Sequence, residues 1–146
     1  MAEHLALLRR HMDAENAHDL PGTLATLTAD CVFTDTTLGR SFHGHDGAAD
    51  YYRMWWDAFD VEVSREELHW TTAGLAVAEA RFRGRQIGAF LGVPSTGRRI
   101  DVPFVIVVGF RDGLMDGERF YWNLATLLTQ LGTDRIPTGR NDDARV

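Results

Sequence analysis

The chain has 146 residues, the length of one domain, and its 45% hydrophobic and 25% charged residues exclude an intrinsically disordered protein. It carries 21 acidic against 15 basic residues, and this net charge of −6 argues against a protein that neutralises nucleic-acid phosphates. All 15 basic residues are arginine, and the absence of lysine excludes a Schiff-base lysine and the lysine of a Walker loop.

Cysteine usage and apolar runs indicate the compartment. Cys31 is the single cysteine and cannot form an internal disulfide, so nothing points to an oxidising compartment. The longest apolar run, residues 102–110, is much shorter than the roughly 20 residues of a membrane-spanning helix. The N-terminus shows no long apolar run typical of a signal peptide. We therefore expect a cytoplasmic protein with no membrane partner.

Helices are predicted mainly in the first 60 residues. An apolar stripe at helical spacing predicts the first helix over residues 3–18. A short second helix follows, with Asp19 as its N-cap and Pro21 in its first turn. After a strand at 31–34, apolar side chains at helical spacing predict a third helix that ends near Phe59.

From residue 61 the pattern changes to that of strands. Strands are predicted over residues 61–70, 75–86, 99–110 and 114–122. Asp112-Gly113 is a strong signal for a tight hairpin between the last two of them. A final short helix starts at Leu124 and stops at Gly132.

Helices come first and consecutive strands follow, which is the order of the α+β class. We predict a cone-shaped α+β barrel: a curved, mainly antiparallel sheet wrapped around the N-terminal helices, with an internal cavity. Concave cavities of this kind bind small ligands. One domain is expected over residues 1–132, followed by a flexible tail over 133–146.

Several segments carry a resemblance to a known family. The second half is similar to SnoaL-like polyketide cyclases and related ester cyclases in these segments: GRQIGAFLGVPSTGRR at 84–99, DG at 112–113, ERFYWN at 118–123 and LLTQLG at 127–132. The front half resembles the wider superfamily of nuclear-transport-factor-2-like cones through FTD at 33–35 and FHGHDG at 42–47. The resemblance covers nearly the whole chain up to residue 132.

This resemblance implies a cofactor-free enzyme that closes a ring on a polyketide ester by intramolecular aldol chemistry, with an acidic residue moving the proton. The family commonly has aspartate where this chain has Asn123, and often histidine where it has Gln86. Both replacements are amides, which form hydrogen bonds but cannot exchange a proton near neutral pH. Asn123 remains a candidate catalytic residue by resemblance, and its position before the last helix is equally typical of an N-cap.

Asp35 is the carboxylate predicted to transfer the proton instead. It follows a short apolar strand, where superfamily members related to ketosteroid isomerase and to polyether epoxide hydrolases have a catalytic acid. An apolar cavity wall would raise its pKa, which suits proton transfer. The same residue, in the polar segment 34–37, is also typical of a turn aspartate that accepts backbone hydrogen bonds.

Eight further residues are predicted to bind the substrate. They are Gln86, Tyr51, Trp55, Phe59, His69, Phe104, Arg119 and Tyr121. The aromatic stripe of the third helix is also typical of an ordinary helix-to-sheet core, although a flat ligand would need such walls. Arg119 and Tyr121 share one strand face with Asn123, whereas Glu118 and Phe120 lie on the other face. The alternation alone leaves open which face lines the cavity.

Histidine spacing argues against a metal site. His4, His11 and His18 follow one another at roughly 10.5 Å along a helix, too far apart to share one ion. His43 and His45 are closer, but they lack a third spaced ligand. No dinucleotide-binding motif and no serine-nucleophile elbow is present. We therefore predict no metal and no cofactor.

Taken together, these features predict a cofactor-free enzyme that closes or modifies a ring of a small apolar or aromatic, polyketide-like metabolite. We also predict a homodimer that forms through the exposed face of the domain, and a place in secondary metabolism such as antibiotic biosynthesis. One alternative is a catalytically silent protein that binds or sequesters such a metabolite, since both usual acid/base groups are replaced. Another is an epoxide-opening or hydroxylating relative that uses Asp35.

Overall fold

A computed structural model describes residues 1–137, and the last nine residues of the predicted tail lie outside the described part. The helices and strands have the following bounds: α1 Ala2–Asn16, α2 Leu20–Leu24, β1 Leu27–Asp35, β2 Arg40–His43, α3 Gly44–Trp56, β3 Phe59–Trp70, β4 Ala76–Gln86, β5 Arg99–Arg111, β6 Leu114–Trp122 and α4 Leu124–Gln130.

The six strands form one open, mixed sheet in the order β2-β1-β6-β5-β4-β3. Four of the five neighbouring pairs are antiparallel, and β1 runs parallel to β6. Because β1 lies next to β6, the first strand of the chain joins the sheet beside the last one. The predicted α+β class, with a mainly antiparallel sheet, is confirmed.

The predicted hairpin joins β5 to β6. Arg111 pairs with Leu114, so Asp112 and Gly113 form a two-residue loop, and their φ angles are 53° and 77°. A positive φ at both positions is the requirement of a type I′ turn, which glycine meets without strain and aspartate tolerates. The hairpin holds β5 and β6 in antiparallel register, and both contribute side chains to the inner face of the sheet.

Small side chains on β4 leave space between the sheet and the helices. The face of β4 that looks towards the helices carries Ala76, Ala78 and Ala80, all buried, before it reaches Phe82. An alanine side chain ends at Cβ, so these three positions leave a gap beneath α1 and α3. The sequence pattern of small residues on one strand face thus creates the internal space.

Two groups of buried side chains hold the fold together. The first packs α1 and α3 against β1 and β6 around Phe33 and Tyr52. The second packs α4 against β3, β4 and β5 around Phe59 and Leu127. Ile136 of the predicted tail packs against the second group, so the start of that tail contacts the domain. None of the helices in residues 1–137 has the length and hydrophobicity needed to cross a membrane.

The end of the third helix differs from its prediction. The structure ends α3 at Trp56, and the N–H of Ala58 closes the last turn on the carbonyl of Trp55. Phe59 is therefore the first residue of β3, where it pairs with Gln86. Phe59 matches the helical spacing of apolar residues because its position at the start of β3 also directs its side chain into the core.

Two neighbouring residues of β1 differ in burial, and we expect their replacement by alanine to differ in its effect on stability. Phe33 is fully buried against α3, whereas Val32 points to the other face and is 36% exposed. We expect Phe33→Ala to lower the free energy of unfolding by about 3–5 kcal/mol, because it leaves a cavity in the core. Val32→Ala is the control and costs about 1 kcal/mol or less. Denaturant unfolding of both variants measures the difference, and equal losses would contradict this packing.

Candidate functional site

A cavity of about 110 Å³ lies between the helices and the concave face of the sheet. Helices α1 and α3 form one wall, and inner-face residues of β3, β4, β5 and β6 form the other. Its lining is mostly apolar. A space of this size holds several waters or a small ring-sized group. The alanines of β4 provide the space, as described above.

Aromatic rings line the cavity on both walls. Helix α3 contributes Tyr51, Tyr52, Trp55 and Trp56, and the sheet contributes Phe82, Phe104, Phe120 and Trp122. The rings of Trp55 and Trp122 meet edge to face with their centroids 5.3 Å apart, a favourable geometry for aromatic pairs. Three of the predicted substrate-binding residues, Tyr51, Trp55 and Phe104, therefore line this cavity.

Four polar side chains meet at one side of this apolar space. His11 and Glu15 come from α1, one helical turn apart on the same face. Tyr52 comes from α3, and Glu118 comes from β6. We call these four residues the acid–base cluster. It joins three elements that are distant in sequence.

Thr26 fixes the orientation of the His11 ring. The hydroxyl of Thr26 donates its hydrogen to the carbonyl of Thr23, at 2.6 Å. Its oxygen is then free to accept from Nδ1 of His11, which also lies at 2.6 Å. Nδ1 therefore carries a hydrogen, and Nε2 faces the cluster, 2.9 Å from the hydroxyl oxygen of Tyr52.

The carboxylate of Glu118 is buried without a full set of partners. Its side chain is 0% exposed, and Oε1 lies 3.0 Å from Nε2 of His11. Within residues 1–137, neither carboxylate oxygen receives a well-directed hydrogen bond. A buried carboxylate in this state is costly, because it has lost the hydrogen bonds of water without replacing them. Glu118 therefore leaves unused acceptor capacity beside the cavity.

The cluster changes the pKa values of its members. Burial is the main cause that raises the pKa of Glu15 to about 7, and the Glu118 carboxylate adds to it against the charge of His11. Burial alone would lower the pKa of His11, but Glu118, and Glu15 more weakly, raise it above its ordinary value. Burial and the two carboxylates raise the pKa of Tyr52 well above its ordinary value.

Asp35 lies next to the cavity but not in its wall. It is fully buried, and its carboxylate accepts hydrogen bonds from the Tyr51 hydroxyl at 2.7 Å and from Nε1 of Trp122 at 3.0 and 3.1 Å. The N–H of Leu38 donates to it at 2.9 Å, as expected of a turn aspartate. Asp35 thus holds two side chains that do line the cavity.

The second predicted catalytic residue lies on the outside of the domain. Asn123 is the N-cap of α4, and its Oδ1 accepts from the N–H of Thr126 at 2.9 Å. Arg119 and Tyr121 are exposed on the same outer face, while Glu118 and Phe120 face the cavity. The structure therefore corrects the expected placement of Asn123, Arg119 and Tyr121, since strand alternation turns all three away from the cavity.

The remaining predicted residues also lie outside the cavity wall. Gln86 is buried, where it accepts from the N–H and the hydroxyl of Thr96 and donates to the carbonyl of Val93, so it holds a loop in place. His69 is exposed and lies 2.8 Å from Glu79. Phe59 belongs to the core around α4. The structure thus turns Gln86 towards a loop, His69 towards the solvent beside its cross-strand neighbour, and Phe59 into the second core.

Sequence reasoning named none of the four cluster residues as a site residue, although Tyr52 belongs to the aromatic stripe of the third helix. A signal was available for each of them. His11 and Glu15 are four residues apart on the helix face that also carries Leu8, so one polar pair interrupts an apolar stripe. Glu118 shares its strand face with the apolar Phe120, which marks it as a buried charge.

The sequence and the structure agree on the family. A family model described as a SnoaL-like domain matches residues 8–116, three quarters of the chain. The chain belongs to the SnoaL-like family. No curated protein resembles it closely enough to count as a match.

Solved structures share this fold. A candidate SnoaL-like polyketide cyclase from Jannaschia sp. CCS1 is 25% identical, with a TM-score of 0.80 over 89% of this chain and 92% of its own. AclR, a candidate hydroxylase from Streptomyces galilaeus, is 23% identical, with a TM-score of 0.78 over 90% and 97%. A ketosteroid isomerase-like protein from Catenulispora acidiphila, in complex with trimethylamine, is 16% identical, with a TM-score of 0.74 over 87% and 92%. The last two likenesses show the fold alone.

Glu15 gives a testable dependence of stability on pH. The folded protein holds the Glu15 proton up to about pH 7, whereas the unfolded chain releases it near pH 4.5. This group therefore stabilises the fold fully below pH 4.5, and its contribution is lost as the pH rises towards 7. We expect Glu15→Gln to gain stability relative to wild type, by roughly 1–2 kcal/mol, between about pH 5 and pH 8.

Urea unfolding at several pH values measures this difference. Asp13→Asn is the matched control, an exposed acid on the same helix, and its offset from wild type stays constant with pH. A constant offset for Glu15→Gln as well would show that the cluster does not raise the pKa of Glu15.

Proposed function

We propose that the protein is a cofactor-independent acid–base enzyme that closes a ring in a small, largely apolar, polyketide-like metabolite. The observation that carries this proposal is the acid–base cluster at one side of an otherwise apolar cavity. A carboxyl group with a pKa of about 7 holds its proton half of the time at neutral pH. It therefore serves as base and as acid within one reaction cycle.

Glu15 is the proton-transferring residue of this proposal. Its carboxylate removes a proton from a carbon next to a carbonyl group, which gives an enolate. The enolate carbon attacks a second carbonyl of the same molecule, so that one carbon–carbon bond forms and the second carbonyl becomes an alkoxide. The alkoxide takes the proton back from Glu15. No electrons are gained or lost, and no other reactant is needed.

The other members of the cluster prepare Glu15 for this task. The Tyr52 hydroxyl lies in the same cluster, 2.9 Å from Nε2 of His11, and its high pKa keeps it a hydrogen-bond donor. The same kind of donor stabilises an enolate oxygen. The Glu118 carboxylate raises the pKa of Glu15, and the charge of His11 opposes this effect. Burial is the main cause that brings the pKa of Glu15 to about 7, and the balance between these two charges adjusts it.

Asp35 acts as a positioning residue in this proposal. Its two aromatic hydrogen-bond partners, Tyr51 and Trp122, line the cavity on opposite walls. A direct catalytic role for Asp35 stays a prediction from the resemblance. The two roles differ in what its replacement does: loss of positioning weakens substrate binding, whereas loss of a base lowers turnover.

The comparisons support the small-molecule part of the proposal. The chain shares its family with candidate polyketide cyclases, and one protein of the same fold is described with the small amine trimethylamine bound. The cavity of about 110 Å³ matches a substrate whose reacting part is one ring in size.

The activity is testable with a small diketone. Heptane-2,6-dione closes by aldol addition to a hydroxycyclohexanone. This adduct then loses water to give a cyclohexenone, whose formation is followed by its ultraviolet absorbance. We expect wild-type protein to accelerate this closure, with a rate that rises through about pH 7 as Glu15 loses its proton. Glu15→Gln lowers the turnover by ~10²-fold or more, because the amide accepts no proton.

Controls separate this account from its alternatives. Asp13→Asn, on the same helix, keeps the wild-type rate, and Glu15→Gln is at least as stable to heat as wild type while it loses turnover. Saturable binding of the diketone without acceleration by wild type would favour a binding protein over an enzyme.

Asp35 and Asn123 are tested in the same assay. We expect Asp35→Asn to raise KM more than it lowers kcat, because it loosens Tyr51 and Trp122. Asn123→Asp keeps the cap of α4 and the wild-type rate, because position 123 lies on the outer face. A ~10²-fold loss of kcat at unchanged KM in Asp35→Asn would assign the base to Asp35 instead.

A further inference from the structure

The charges around the cavity do not balance. Helix α1 presents His11 and Glu15, and β6 presents Glu118, so two carboxylates face one imidazole. Helix α3 adds only the hydroxyls of Tyr51 and Tyr52, and the lining residues of β4 and β5 are all apolar.

Arg65 of β3 is the other cationic side chain in the wall, half-buried at an edge strand. Among the described residues it forms no ion pair with Glu15 or Glu118, and Glu118 is paired with His11. The charged groups that shift the pKa of Glu15 most are His11 and Glu118. The cluster therefore has one acid in excess of its cations.

The carboxylate of Glu118 is the place in the cavity wall that a positive group would suit. Its carboxylate is fully buried and lines the cavity, and both of its oxygens lack a well-directed donor among the described residues. His11 approaches only Oε1. The second oxygen is thus an acceptor with no donor, in an environment where leaving it unpaired is costly. A ligand that donates hydrogen bonds from a positive charge would satisfy it.

The aromatic wall next to the cluster suits the same kind of ligand. The rings of Tyr52 and Trp56 stack with centroids 5.0 Å apart, and Tyr52 belongs to the cluster itself. Phe120 lines the cavity two residues along β6 from Glu118. The faces of such rings attract ammonium groups, most strongly where water is excluded. Carboxylates and aromatic faces together are the environment that holds a buried amine.

We propose that the ligand of this cavity carries a protonated amine, which lies between the carboxylates of Glu118 and Glu15 while its apolar part lies against the alanines of β4. The inference rests on the proposed function only in using the same cavity, and it names the class of substrate: an amine-bearing, largely apolar molecule of about one ring. It does not require that Glu15 perform the chemistry.

Binding and protonation are linked in this arrangement. In the empty cavity Glu15 takes up a proton and so reduces the excess of negative charge. An ammonium group replaces that proton. The affinity for an amine therefore increases as the pH rises towards 7, and Glu15→Gln removes most of this increase.

Three one-ring compounds of similar size test the proposal by calorimetric titration of the intact chain. Benzylamine carries a positive charge, benzyl alcohol is neutral, and benzoate is negative. At about pH 8 we expect benzylamine to bind at least ~10-fold more tightly than the other two, as for a charge-assisted hydrogen bond in a buried site. Benzylamine also loses affinity between about pH 8 and pH 5.5, whereas benzyl alcohol does not.

Matched variants assign the preference to the cluster. Glu118→Gln keeps the shape of the side chain and reduces the preference for benzylamine to within ~2–3-fold of benzyl alcohol. Glu79→Gln is the control, an exposed carboxylate on the outer sheet face, and it binds as wild type does. Because Glu118 is buried, Glu15→Gln serves as the second variant. It keeps part of the preference and loses the pH dependence.

Several results of these titrations would contradict the proposal. Equal or tighter binding of benzyl alcohol or benzoate, a preference that persists in both variants, or no saturable binding of the amine would each overturn the proposal. Binding of benzylamine by a protein that does not close the diketone ring would leave this inference standing and reject the proposed reaction. Closure of the diketone without a preference for the amine would do the reverse.

Discussion

The contact between His11 and Glu118 is the interaction on which the site depends. It joins the first helix to the last strand at one side of the cavity, at 3.0 Å, and both side chains are buried. A buried ion pair of this kind contributes little to stability by itself, because removing two charges from water costs about as much as their attraction returns. The contact instead fixes the positions of the two side chains. The hydrogen bonds that link Thr23, Thr26 and His11 hold the imidazole ring in one orientation, with Nε2 towards the cavity.

The residues next to this pair give the site its capacity for proton transfer. Glu15 follows His11 by one helical turn and lines the same cavity, so its carboxyl loses water and meets a second carboxylate. The surrounding wall is apolar, and few other groups screen these charges. The alanines of β4 keep that wall open where larger side chains would have filled it. The cavity next to the alanines of β4 and the excess carboxylate of the acid–base cluster therefore lie in the same place.

The sequence predicted the fold well because its signals are local. Asp19 caps α2 through the N–H of Gly22, and Asp112-Gly113 forms the hairpin turn, as their residue types require. Asn123 caps α4, the role that its position favoured. Each of these outcomes depends on a few neighbouring residues, and backbone chemistry decides it.

The site could be predicted only in part, because it depends on which face of each element turns inward. Tyr51, Trp55 and Phe104 line the cavity as expected, whereas Arg119 and Tyr121 face outward. Alternation along β6 offered two faces, and the choice between them is made by the pairing of β6 with β1 and β5. His11 and Glu118 are 107 positions apart in the chain, so no local pattern joins them.

The central claim is that the cavity holds an acid whose proton is shared at neutral pH. Carbon-13 NMR of protein with labelled glutamate carboxyl groups, titrated from about pH 3 to pH 9, measures it directly, with Glu15→Gln to assign the signal. The account predicts a midpoint for Glu15 near pH 7. A midpoint near the ordinary 4.5 of a solvated glutamate would contradict it.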